Sequence, residues 1–144
     1  MEFTFKDKYH IEDLLQIMKL LRSENGCPWD KVQTHESIRK NFIEETYEVV
    51  EAIDKGDSVL LREELGDVLL QIVFHSEMEE EAGRFGFDDV VNEICQKLII
   101  RHPHIFSDIR VSGVEDVLDN WNSIKQKTKG QSTASETLDC VPRQ

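Results

Sequence analysis

The chain is short of cysteines and of bases, and it has no long apolar run. Three cysteines in 144 residues, Cys27, Cys95 and Cys140, stand far apart without CxxC spacing. An odd, scattered set suits reduced thiols and argues against a disulfide framework or a zinc site. No apolar stretch approaches the roughly 20 residues that span a bilayer. The amino-terminal MEFTFKDKYH lacks a basic segment followed by an apolar one, so neither an anchor nor a secretory leader is expected and the place expected is the cytoplasm. Seventeen bases stand against 29 acids, a formal charge of −12 that would repel a nucleic-acid backbone or an anionic membrane. The same excess of acid suits a metal cation as partner.

What is present is helical patterning. The length fits one domain with a real core. Ile11, Leu14, Leu15, Met18 and Leu21 recur at helical spacing from about Tyr9 to Arg22, and Gly26 with Pro28 stops that helix. A loop containing CPWD follows. Thr34 is an N-cap with Ser37 in the first turn, and Ile38, Phe42, Val49 and Ile53 carry a second helix to Lys55-Gly56. Asp57 or Ser58 caps a third, the longest, with Leu61, Leu65, Val68, Leu69, Ile72 and Val73 before the acidic run Glu77 to Glu81. A fourth runs from Asp88 to before Pro103, and a fifth from Val114 to about Lys127. No strand pattern remains. The expected fold is all-α, with a helical domain over residues 1–129 and a polar, flexible tail over 130–144.

The acids of the second and third helices are not scattered. On a wheel of about 100° per residue, Glu45 and Glu48 lie roughly 60° and 120° to one side of the second helix's apolar stripe. Glu64 and Asp67 take the same offsets from Leu61, Val68 and Ile72 on the third. If the two helices pack antiparallel through their stripes, four carboxylates converge at the margin of the core. Desolvated like charges repel unless they protonate or find a cation, and oxygen ligands at i and i+3 on facing helices suit Mg²⁺, with Mn²⁺ as substitute. A solvated edge of ordinary surface acids is the plainer alternative.

EETYE followed by EELGD resembles the signature of the MazG family of all-α nucleoside triphosphate pyrophosphohydrolases, relatives of dimeric dUTPases and phosphoribosyl-ATP pyrophosphohydrolases. GCPWDKVQTHESI (26–38), EELGDVLLQIVFH (63–75), RHPHIF (101–106) and WNSIK (121–125) resemble MazG segments in the same order. The resemblance implies a MazG-like four-helix bundle completed by dimerisation, and magnesium on Glu45, Glu48, Glu64 and Asp67. It further implies that Lys97 and Arg101, one turn apart on the fourth helix, face the triphosphate, and that Trp29 and Trp121 belong to the nucleotide pocket. Without it, Lys97 and Arg101 read as bases favoured near a helix C-terminus. Asp30 and Lys31 read as loop solvation more readily than as substrate contacts. His102 and His104 flank Pro103, and with no further Cys or His beside them they make no zinc site. His35 and His75 receive no role.

The activity expected is Mg-dependent hydrolysis of a nucleoside triphosphate to monophosphate and pyrophosphate, clearing non-canonical or excess nucleotides. The carboxylate-bound metal would orient and deprotonate the attacking water, while Lys97 and Arg101 neutralise the developing charge. Two alternatives stand beside it: an acidic helical interaction module without catalysis, and a hydrolase specific for dUTP, dCTP or phosphoribosyl-ATP. Ile43, Val50, Leu60 and Leu69 lie beyond a single stripe, so a homodimer or dimer of dimers is expected.

Overall fold

The computed structural model describes residues 2–107, and they are helical with no strand among them. The elements are α1 (Ile11–Leu21), α2 (Pro28–Lys31), α3 (His35–Lys55), α4 (Ser58–Glu81), α5 (Phe87–Arg101) and α6 (Pro103–Phe106). Trp121, the expected helix over 114–127 and the expected tail over 130–144 lie outside the described residues. The described residues divide into two units, parted between Phe87 and Asp88.

The helix boundaries follow local chemistry. Asp13 caps α1 from within: its Oδ2 accepts from the His10 amide at 2.8 Å, and its Oδ1 receives Lys6 Nζ at 2.7 Å. Gly26 ends the connection after α1, where a Cβ would lie 2.3 Å from the carbonyl oxygens of Leu20 and Leu21. Only a residue without a side chain lets the backbone return this closely. The CPWD segment, expected as loop, forms the short helix α2 because Pro28 occupies its first turn, where the missing N–H costs nothing. Thr34 caps α3 as expected, accepting from the Ser37 amide, and Gly56 ends it at φ 65°. Asp57 caps α4. The acidic run Glu77 to Glu81 is the last turn and a half of α4, not its sequel.

In the first unit α3 and α4 pack along their length, and α1 lies against α4. Met18, Ile38, Val73, Phe74 and Met78 form the buried core, with Leu14, Leu15, Leu70 and Phe87 packed around it. Ion pairs tie α1 to α4 at the rim. Lys19 reaches Glu77 at 2.8 Å and also Glu80, and Arg22 Nε reaches Glu81 at 2.8 Å. Arg22 also donates to the backbone oxygens of Asp30 and Gln33, at 2.7 and 3.1 Å, which fixes α2 against α1.

The apolar stripes are narrower than their spacing suggested. Ile53 and Leu65 are half or more exposed, while Ala52 is fully buried on α3. The close approach of two helices selects a small residue at the contact, and a wheel weighted by side-chain size does not see it.

Candidate metal centre

The four acids singled out in the sequence come together. Glu45 and Glu48 on α3 and Glu64 and Asp67 on α4 each present an oxygen, and these oxygens all lie within 4.8 Å of one another. Residues i and i+3 share a helix face, and the antiparallel packing of α3 on α4 brings the two faces together.

The cluster is under electrostatic stress. Glu45 Oε2 and Glu64 Oε1 are buried with no hydrogen-bond partner. Burial first, then the neighbouring Asp67 and Glu48, raise the Glu45 carboxyl above its ordinary value. For Glu64, burial first, then the neighbouring Asp67 and Glu48, push the carboxyl up to about 7. Orphaned carboxylate oxygens facing one another are what a hard cation relieves. The donor set, four oxygens and no nitrogen or sulfur, fits Mg²⁺ or Mn²⁺ better than zinc.

The other expected site residues distribute differently. Trp29 is 55% exposed, and its ring meets Phe74 edge-on with centroids 6.4 Å apart, so part of its surface packs on the core. Asp30 and Lys31 serve the local fold: the Asp30 carbonyl receives Arg22, and Lys31 Nζ donates to the Glu24 carbonyl at 2.6 Å. Lys97 and Arg101 lie one turn apart on α5 in the second unit, Lys97 half-buried and Arg101 buried. Their part in the site rests on the family resemblance. His102 Nδ1 bonds the Leu98 carbonyl oxygen at 2.7 Å, a helix-end contact, and the expected loop beyond it is the short helix α6.

One constellation was not anticipated. His35 at the start of α3 and His75 on α4 lie with their rings nearly parallel, 4° apart, and share a 2.7 Å hydrogen bond between Nδ1 atoms. His35 Nε2 continues to Glu79 Oε2 at 2.5 Å, and Arg84 grips Glu79 through Nε and Nη2 at 2.7 and 2.8 Å. Arg84, then His35, hold the Glu79 carboxyl down at about 2. His75 and Glu79 are one turn apart on α4. An antiparallel register that pairs residues 45 and 48 with 64 and 67 brings residue 35 opposite them, so the signal lay in the register and not in either helix alone.

The chain is similar to several known proteins. Residues 33–106 match the model of the MazG nucleotide pyrophosphohydrolase domain. The chain is 47% identical over 134 residues to a nucleoside triphosphate pyrophosphohydrolase of Escherichia coli (strain K12), covering 92% of this chain and 51% of that protein. It is 50% identical over 127 residues to the uncharacterized protein YabN of Bacillus subtilis, covering 88% of this chain and 26% of the relative. The chain thus spans about half or less of these curated relatives. A crystal structure of a mazG-related protein from Thermotoga maritima superposes with a TM-score of 0.67 at 27% identity, over 80% of this chain and 98% of that one.

Proposed function

Since the chain belongs to the MazG nucleotide pyrophosphohydrolase family, we propose that it hydrolyses nucleoside triphosphates to monophosphate and pyrophosphate, using a divalent cation held by Glu45, Glu48, Glu64 and Asp67. The observation that carries the reading is the carboxylate cluster with two buried, unpartnered oxygens. Such a cluster is unfavourable on its own and becomes favourable once a cation neutralises it. The cation, Mg²⁺ with Mn²⁺ as substitute, supplies Lewis-acid stabilisation of charge on the phosphoryl oxygens.

The chain's own residues do the rest. Lys97 and Arg101 hold the terminal phosphates and balance the charge that grows on them as water cleaves the bridge between the α- and β-phosphates. Water adds to the α-phosphorus and gives up a proton to solvent, the bond from that phosphorus to the bridging oxygen breaks, and pyrophosphate leaves with the bond's electron pair, its charge paired by Lys97 and Arg101. The family resemblance also gives Trp29 and Trp121 to nucleotide binding. The exposed apolar residues Ile43 (67%) and Val50 (48%) on α3 support a homodimer or dimer of dimers.

Phosphorus NMR of the products tests the chemistry. Pyrophosphate with a nucleoside monophosphate is expected, suppressed by EDTA. Orthophosphate would assign the wrong bond, and no nucleotide turnover with any divalent cation would favour an acidic interaction module instead.

A further inference from the structure

Gln71 on α4 is a polar side chain at the edge of an apolar core. It is only 8% exposed, and its Oε1 is buried with no hydrogen-bond partner among the described residues. Three and seven residues further along the same helix face, Phe74 and Met78 belong to the core and offer no donor. The donor has to come from the other side.

That other side is the carboxylate cluster. At about 100° per residue Gln71 lies roughly 20° from Glu64 and roughly 40° from Asp67, between the two. Asp67 stands one turn earlier, about 6 Å along the axis, and long helical side chains lean towards the N-terminus, over the turn that carries it. Gln71 thus sits where the acids give way to core. Of the four buried side-chain atoms without a partner among the described residues, three belong here: Glu45 Oε2, Glu64 Oε1 and Gln71 Oε1. The carboxylate oxygens want positive charge and the amide oxygen wants a proton directed at it, and a hydrated cation supplies both. The four acids offer one oxygen each, so an octahedral Mg²⁺ among them keeps waters of its own. An amide suits this place, because it accepts a hydrogen bond without adding a fifth negative charge to a cluster that already repels itself. The depth of Gln71 favours a water over a nucleotide hydroxyl, which would bring its sugar with it.

Resting on the metal-site reading of the four acids, we propose that Gln71 Oε1 accepts a hydrogen bond from a water in the cation's hydration shell. Gln71 is a positioning residue: it orients that water and takes no proton from it.

The test is calorimetric titration of Mg²⁺, without nucleotide, into wild type and Gln71→Met, with thermal melts in EDTA beside it. Methionine keeps the length of the side chain and removes the acceptor. The metal-free melt should be unchanged or higher, since an unpaired buried acceptor is gone. The Kd for Mg²⁺ should rise by about tenfold or more, the usual effect of losing an outer partner of a metal site. Proton relaxation of solvent water by the Mn²⁺-loaded proteins reports how long bound waters stay, and exchange should be faster in the variant. Gln71→Leu repeats the comparison with a different apolar shape. Variants that bind Mg²⁺ as wild type does and hold water as long overturn the role of Gln71 while leaving the metal site standing. If both variants melt well below wild type in EDTA, Gln71 is a structural residue and the proposal falls. Unchanged Mg²⁺ binding with weaker binding of a non-hydrolysable nucleotide gives Oε1 to a nucleotide hydroxyl and overturns the water. A wild-type protein that binds neither Mg²⁺ nor Mn²⁺ removes the metal site, and the proposal with it.

Discussion

Arg22 on α1 grips Glu81 on α4 through two hydrogen bonds, Nε to Oε2 at 2.8 Å and Nη2 to Oε1 at 2.9 Å. Its remaining nitrogen, Nη1, holds the backbone oxygens of Asp30 and Gln33, and its guanidinium lies 5.5 Å from the centre of the Phe74 ring. One side chain thus joins α1, α2 and α4. Arg22→Ala should lower stability by about 1–3 kcal/mol, since carbonyl oxygens lose donors at a mostly buried site. Glu81→Ala removes only the more exposed partner and should cost less. Urea unfolding of both variants checks the order, and equal losses would assign Arg22 no role beyond the ion pair.

Glu48→Gln and Glu64→Gln should each abolish most nucleotide hydrolysis while leaving the metal-free fold as stable as wild type or more so. The amide keeps the shape, relieves repulsion within the cluster and weakens a hard-cation ligand. Magnesium should raise the melting temperature of wild type more than that of either variant, because a ligand of the native state adds RT ln(1 + [L]/Kd). Thermal melts in EDTA and in magnesium, beside a turnover assay, measure this. Variants that melt well below wild type in EDTA would make these acids structural partners instead.

The Glu64 carboxyl, pushed up to about 7 against an ordinary 4.5, binds its proton more tightly in the metal-free fold than in the unfolded chain. Acidification therefore protonates the folded state first. Metal-free stability from this group should rise as pH falls from about 7 towards 4.5 and level off below that. The cation competes for the same oxygens, so its affinity should weaken across that window. Melts of wild type against Glu64→Gln in EDTA isolate this group, and magnesium calorimetry follows the affinity. A wild-type protein that gains stability on the alkaline side relative to the variant would contradict the assignment.

Gly66 lies within α4 between Leu65 and Asp67, exposed, with nothing within 4 Å of where a Cβ would sit. Gly66→Ala should therefore stabilise the fold by up to about 1 kcal/mol through helix propensity. Gly56, also in open space, has φ 65°, and Gly56→Ala should destabilise by about 1 kcal/mol because an L side chain resists that conformation. Denaturant midpoints should move in opposite directions, and a shared sign would mean that local backbone preference does not decide either site.

The all-α class, the caps at Thr34 and Asp57, the glycine stop at Gly56 and the carboxylates at 45, 48, 64 and 67 could all be read in the sequence. Each depends on spacing along one helix or on chemistry within a few residues, and the facing of α3 on α4 needed only a short turn. Tertiary structure decided what required knowing depth and register. It put Ala52 in the core where Ile53 was expected, because helix contacts favour small residues at closest approach. It turned CPWD into a helical turn, set part of Trp29 against Phe74, and gave Asp30 and Lys31 local partners. It also joined His35 to His75 across 40 residues of sequence, a pairing invisible to periodicity because it forms only once two helices have settled into one antiparallel register.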